Sequence, residues 1–239
     1  MISFAGKLLV GGDTGVRLYD LGKKKLLRKC EALLPSAVHF LDSQGLRVYA
    51  GTSMSSVMFL IYRPVQNQLQ CFADDIANRP LSAMCVIDYE TICLADRLGS
   101  VSVLRSPNGL TESMEKDPAG LASAARETLF AAPYKLERVC EYTVGDTITA
   151  FSKGTLFMGA RQSLLYTTIS GGIGMFTPIQ YRSVANMLQT VESELRMCMH
   201  EEDTLPKCSL TGRYQLLRRS ACGQTVKGII DGQFCLDAF

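Results

Sequence analysis

The sequence contains no apolar run of the roughly 18 residues that a membrane-crossing helix requires, and its first stretch, MISFAGKLLVGGDTG, has no charged leader ahead of an apolar segment. The expectation is a chain that neither spans a membrane nor is secreted. Net charge is small: 25 Lys plus Arg stand against 23 Asp plus Glu, and a balance of +2 sets up no general field toward nucleic acid or anionic lipid. Any RNA contact therefore has to be local or indirect. Paired cysteine spacing is missing too. Nine Cys, at 30, 71, 85, 93, 140, 198, 208, 222 and 235, form no CxxC and sit mostly in apolar runs such as AMCVI and TICLA, which fits a reducing compartment. Proline is sparse at 8, charged residues make up 20% and hydrophobic residues 47%, which excludes a disordered, collagen-like or coiled-coil chain and supplies enough for a core.

What the sequence does have is a repeat. An apolar run, a small residue, a short polar turn with a second small residue four positions on, and an alternating apolar run recur as KLLVGGDTGVRLYDL (7–21), RVYAGTSMSSVMFLIY (47–62), TICLADRLGSVSVLR (91–105) and TLFMGARQSLLYTTI (155–169). The small pairs are Gly11 and Gly15, Gly51 and Ser55, Ala95 and Gly99, Gly159 and Ser163. Successive spacings of 40, 44 and 64 residues match the period of a four-stranded propeller blade, with about 20 extra residues in the third interval. Further strand-like segments, KKLLRKC (24–30), NQLQCFA (67–73) and RVCEYTV (138–144), fill the intervals. The reading is all-β: WD40-like antiparallel four-stranded blades, about four of them, forming a partial β-propeller over 1–177. A long insertion covers 106–136, its polar part SPNG to AAP breaking strand alternation like a mobile surface loop. From 178 the pattern changes. Val184, Met187, Leu188, Val191 and Leu195 mark one face of an amphipathic helix, so 178–239 reads as the start of a C-terminal helical domain.

Chemistry-bearing motifs mostly resolve into structural roles. SGGIG (170–174) lacks the strand-before, helix-after context of a phosphate loop and reads as a hairpin turn at Gly171 and Gly172. Asp74 and Asp75 are a carboxylate pair, yet neighbours at a strand end point to opposite sides, and ANRP follows; a turn is expected. His39, in AVHFL, has no legible nucleophile beside it and reads as a strand histidine filling a blade. Cys198, His200, Cys208 and Cys222 hold zinc-ligand chemistry at spacings that match no common finger, so inert thiols are the reading and no metal is expected. Lys23, Lys24, Lys25, Arg28 and Lys29 form a basic patch, with Arg213, Arg218 and Arg219 a second; the first reads as a solvated blade edge and the candidate interaction patch. No convergent acid, base and nucleophile set is found, so no catalytic or cofactor-binding residue is assigned.

Particular strings carry more than the pattern. VRLYDLGKKKLLRKCE (16–31), NQLQCFADD (67–75), DPAG (117–120), YTVGDT (142–147), SLLYTTISGGIG (163–174) and IIDGQFC (229–235) together resemble the C-terminal part of the splicing factor 3b subunit 3 family. These are large propeller scaffolds of the spliceosomal branch-site complex. Their relatives, the large subunits of the cleavage and polyadenylation specificity factor and of the damaged-DNA-binding protein, share the blades and the terminal IDG turn but resemble these strings less. The resemblance implies three seven-bladed propellers and a closing helical domain, of which this sequence would match about half of the last propeller and the start of the helices, as a fragment or abbreviated copy. It departs from the family in having no Trp, where the family usually has one soon after the proline now followed by Leu81. It departs also in Gln233 after Gly232, and in lacking the closing helices after Phe239.

The resemblance further implies a nuclear, non-catalytic scaffold in pre-mRNA splicing, without cofactor or small-molecule substrate. Its partners would be other splicing factor 3b subunits and spliceosomal proteins, with RNA touched mainly indirectly. The alternative is a paralogous scaffold in a cullin-type ubiquitin ligase or in mRNA 3′-end processing. Structural turns are expected at Gly11, Gly15, Gly99, Gly171 and Gly172, and Asp231 with Gly232 would begin a helix-capping turn.

Overall fold

The computed structural model describes residues 1–110, 132–155, 158–159, 161–179 and 181–202. The chain divides into two compact units, one made of Met1–Arg97 with Val101–Val139, the other of Leu98–Ser100 with Cys140–Phe239.

In the first unit, β1 (Ile2–Phe4), β2 (Lys7–Gly12), β3 (Gly15–Leu21) and β4 (Leu26–Leu33) pair antiparallel in chain order. β5 (Val38–Gln44), β6 (Arg47–Thr52), β7 (Val57–Arg63) and β8 (Gln68–Asp74) repeat the arrangement as a second sheet. A third sheet has the order β9 (Leu81–Val86), β10 (Thr91–Asp96), β11 (Ser100–Arg105), β13 (Glu137–Thr143). Each is the four-stranded meander expected of a blade, and the fold is all-β and propeller-like.

Alternation along the second sheet explains why its strands read as unbroken apolar runs. Val48, Ala50, Met58, Leu60 and Tyr62 face one way and join Phe4, Leu9, Val16 and Leu18 of the first sheet in one core. Tyr49, Val57 and Phe59 face the other way and join Leu81, Ile92, Leu94 and Leu104 of the third sheet in a second core. Because side chains alternate along a strand, a sheet buried on both faces must be apolar at every position. Edge-on rings lock both layers: Phe4 on Tyr62 at 5.7 Å, Tyr49 on Phe59 at 4.8 Å, and Phe59 on Phe72 at 6.1 Å. Each large side chain so buried is worth about 1.5–3 kcal/mol relative to exposure.

The small residues of the repeat act differently from the turn role expected of them. Gly12 pairs with Gly15 across a two-residue turn, and the left-handed residue there is Asp13, at φ +45°. Gly11 lies within β2. A Cβ on it would stand 2.6 Å from Val38 Cγ1 in β5, so the residue is small because the next sheet comes close, not because the chain bends. Gly51 is crowded one sheet on, where its Cβ would meet Phe40 Cβ of its own sheet at 3.0 Å and Leu81 Cδ1 and Met84 Sδ of β9 at 3.1 Å. Gly99 and Gly171 do turn the chain, at φ +85° and +86°.

The insertion is fastened at both described ends. β12 (Tyr134–Lys135) adds a parallel fifth strand to β8, and Leu110, Ala132 and Leu136 are buried. The edge of β8 offers this strand its backbone groups, and Asp74 offers a charge to Lys135. Residues 111–131, to which most of the mobile-loop expectation applied, lie outside the described set.

The second unit holds β14 (Ile148–Gly154), β15 (Ser163–Thr168) and β16 (Ile173–Phe176), a three-stranded antiparallel sheet. The fourth repeat is thus displaced. Its hairpin uses ITAFSKG as the first limb, with Gly154 opposite Ser163, whereas Thr155 is irregular and Met158–Gly159 form a turn. After Pro178 comes α1 (Arg182–Glu202), with Leu188 and Val191 half-buried and Val184 and Met187 exposed. Among the described residues no helix is long and apolar enough to cross a membrane.

Candidate protein-interaction surface

The residues with the most suggestive chemistry are held by structural partners. Asp74 accepts Lys135 Nζ at 2.6 Å and the Ala132 amide at 3.3 Å, while Asp75 accepts Ser56 Oγ at 2.6 Å, the Ala77 amide at 3.1 Å and the Arg79 guanidinium. The two carboxylates face different partners, as expected for neighbours at a strand end, and together they pin the insertion and the β8–β9 connection. His39 sits on β5, but on its exposed face and not filling the blade. The reason is alternation: Val38, one position earlier, takes the inward position against Gly11. SGGIG forms the β15–β16 turn, closed by Thr168 N–H to Gly172 O at 2.9 Å and Gly171 N–H to Thr168 O at 3.1 Å. Gly172 keeps an ordinary backbone and is small because Thr168 Oγ1 would lie 2.9 Å from its Cβ. Asp231, Gly232, Cys208, Cys222, Arg213, Arg218 and Arg219, and the side chains of Leu195, Cys198 and His200, lie outside the described residues.

The basic patch occupies the β3–β4 turn and the start of β4, the last strand of the first sheet, where Asn67 Nδ2 donates to Lys29 O at 3.0 Å. Gly22 N–H to Lys25 O, 3.0 Å, closes the turn and leaves Lys23, Lys24 and Lys25 exposed. The patch is not uniform. Arg28 pairs with Glu31 at 2.9 Å, Arg17 reaches the same carboxylate at 2.7 Å, and Lys29 approaches Asp20 at 3.6 Å. Among the described residues, no carboxylate is within ion-pair distance of the three turn lysines. Beside them stand two leucines the sequence reading did not single out, Leu21 at 81% exposure and Leu26 at 50%, directly opposite each other in the register. Their signal was present as LGKKKLL, apolar residues flanking charge with no inward face left for them.

The other end of the strands carries a second set of turns, each tied to a neighbouring connection. In the first unit Leu34 N–H bonds Thr14 O, Val38 N–H bonds Asp13 O, Ser53 N–H bonds Ala37 O and Arg97 N–H bonds Pro80 O, all at 2.8–3.0 Å. In the second, Val144 N–H bonds Gly99 O and Ile169 N–H bonds Thr147 O, both at 2.9 Å. Asp146 is the hub there. It accepts the amides of Thr147 at 2.8 Å and Ser170 at 3.2 Å, and hydrogen bonding, from the Thr168 side chain above all, holds its carboxyl below the ordinary value of 3.8. The YTVGDT and SGGIG strings therefore meet through one carboxylate, which their separation in sequence conceals.

Arg47 is a residue the sequence reading passed over. It is 1% exposed, with its guanidinium 4.1 Å from the Tyr89 ring centroid and 5.1 Å from that of Phe72, and it donates to Tyr89 O at 2.7 Å. Tyr49 Oη donates to the same carbonyl at 2.8 Å, and burial pushes its phenol well above the ordinary range. This cluster ties β6 to the β9–β10 turn. A charge opening an otherwise apolar strand, RVYAGT, is the signal that could have exposed it.

The relatives of this chain are consistent from end to end. The family described as "CPSF A subunit region" matches residues 1–238. The chain is 40% identical over 237 residues to the "Probable splicing factor 3B subunit 3" of Dictyostelium discoideum, covering 98% of this chain and 18% of that protein. It is 38% identical over 235 residues to "Pre-mRNA-splicing factor RSE1" of Mycosarcoma maydis, with coverages of 98% and 18%. To "Splicing factor 3B subunit 3" of Drosophila melanogaster it is 37% identical over 237 residues, with coverages of 98% and 19%. The chain thus spans about one fifth of the length of the curated relatives it matches. Antiparallel sheets packed through two apolar cores in the first unit, and a family match over residues 1–238, place this chain in the CPSF A subunit region family.

Proposed function

We propose that this chain is a non-catalytic protein-interaction scaffold of the splicing factor 3b complex, working in the nucleus in pre-mRNA splicing. The observation that carries the reading is the 37–40% identity to proteins named for splicing, sustained over 98% of the chain. Its chemistry agrees. The one carboxylate pair that invited a catalytic role is spent on Lys135, Ser56 and Arg79. Among the described residues, those facing solvent include turns, a lysine-rich hairpin and apolar tips, features that suit a docking platform. In this reading 1–177 is a partial propeller and 178 onward begins a helical domain. The partners are other splicing factor 3b subunits and spliceosomal proteins, and RNA is reached mainly through them.

Affinity purification of the tagged chain from nuclear extract, with mass spectrometry of what comes with it, tests the proposal. Recovery of splicing factor 3b proteins is the expected result. Recovery of polyadenylation-factor or cullin-ligase subunits in their place would move the chain to the paralogous role that its family also contains.

A further inference from the structure

We propose that the β3–β4 hairpin tip is a docking point for an acidic amphipathic segment of a partner protein, with Lys23, Lys24 and Lys25 taking its carboxylates and Leu21 with Leu26 taking its apolar side. The proposal deepens the scaffold reading and rests on it for the kind of partner.

Three observations converge. First, the tip is stiff. Gly22 N–H to Lys25 O, 3.0 Å, closes the turn, and a Cβ on Gly22 would stand 2.8 Å from Lys25 O and 3.1 Å from Leu27 Cδ1, so the turn is tightly closed beneath the lysines. Second, the charge there is concentrated and unspent. The neighbouring cations Arg28 and Lys29 are engaged by Glu31 and Asp20, which leaves the three turn lysines as the positive centre that complements an acidic ligand. Third, Leu21 and Leu26 form an opposed pair on one face of the ribbon, both open to solvent. Water-facing leucines paired across a hairpin at the side of a sheet are an association liability unless something covers them.

The apolar pair decides the class of ligand. A single-stranded nucleic acid is held by rings that stack on its bases as well as by charge, and Tyr19, the ring on this face of β3, is partly buried. An anionic bilayer is held by clusters of about four to eight basic residues or a broad apolar helix face, whereas this is a hairpin with three turn lysines, Arg28 and Lys29 being engaged by Glu31 and Asp20. An acidic segment with leucine-type residues at i and i+3 or i+4 matches both halves of the tip at once.

The test is fluorescence anisotropy on the full chain. The probe is a labelled peptide of Glu and Leu at helical spacing; its comparators are the same composition in scrambled order, a uridine oligonucleotide and phosphatidylserine vesicles. The ordered peptide should bind at least about tenfold more tightly than each comparator, weakening as salt rises. The triple change Lys23→Glu, Lys24→Glu, Lys25→Glu should weaken it about tenfold or more. Leu21→Ser with Leu26→Ser should weaken it by a similar factor without changing oligonucleotide binding, and Leu21→Met with Leu26→Met should restore it.

Equal binding of ordered and scrambled peptides, tighter binding of the oligonucleotide or vesicles, or indifference to the leucine changes would each overturn the proposal. So would a change of oligomeric state in the serine variant, which would make a second copy of the chain the occupant. Thermal melts confirm that the variants fold. Because the peptide assay involves no cellular complex, peptide binding with no splicing factors co-purifying would sink only the splicing assignment. The reverse would sink only the tip.

Discussion

Gly99 and Gly171 both adopt left-handed backbone, at φ +85° and +86°, yet differ in surroundings, and the pair separates two costs usually measured together. At Gly171 a new Cβ meets nothing within 4 Å, so Gly171→Ala adds only the left-handed penalty of about 1–2 kcal/mol. At Gly99 the same Cβ would stand 2.7, 2.8 and 3.0 Å from the O, N and C atoms of Asp146. Backbone atoms cannot rotate away as a side-chain tip can, so the turn must shift. Overpacking of this kind adds about 1–3 kcal/mol, bringing Gly99→Ala to roughly 3 kcal/mol or more. The shift also breaks geometry at the Asp146 hub, where Val144 N–H bonds Gly99 O and Ser170 N–H bonds the Asp146 carboxylate. A chain built of two units need not melt in one step, so amide hydrogen exchange is the better assay. The Val144 and Ile169 amides should lose at least about tenfold more protection in Gly99→Ala than in Gly171→Ala, corresponding to a difference of about 1.4 kcal/mol. Equal losses in the two variants would refute the steric argument and leave backbone conformation as the whole effect.

Other outcomes follow from the same geometry. Phe59→Ala, which empties a fully buried site between Tyr49 and Phe72, should destabilise by about 3–5 kcal/mol in urea titration; a loss under about 1 kcal/mol would mean the two aromatic layers are not stacked as described. Asp146 has a folded-state carboxyl below its ordinary value of 3.8, so its stabilisation is complete above that value and is lost as pH falls through the folded one. Asp146→Asn should therefore reduce stability at neutral pH and flatten the acid limb of the stability profile, whereas an unchanged acid limb would remove Asp146 as the hub. Burial pushes the Cys71 thiol up to about 12, so in folded protein it should resist alkylation at about pH 8, where its thiolate fraction is roughly 10⁻⁴, and react only on unfolding. Mass spectrometry of native and denatured samples checks this, and rapid native labelling would contradict it.

The local pattern of the sequence determined most of the strands, the first three repeating hairpins, the helix after Pro178 and the glycine turn at SGGIG, but misplaced the first limb of the fourth hairpin. Each of these depends on alternation, periodicity or φ preference within a few residues. Tertiary structure decided what those elements do to one another. Gly11 and Gly51 are small because Val38, Leu81 and Met84 approach from the next sheet, and no local pattern distinguishes that from a turn glycine. β12 joins the edge of β8 across some sixty residues because an unpaired edge and Asp74 await it, a pairing that only the folded chain brings within reach. Arg47 is buried because Tyr89, forty-two residues on, supplies both a ring and a carbonyl. Leu21 and Leu26 are exposed because the inward positions of that hairpin go to other residues, and only the register shows the two leucines side by side beneath the lysines.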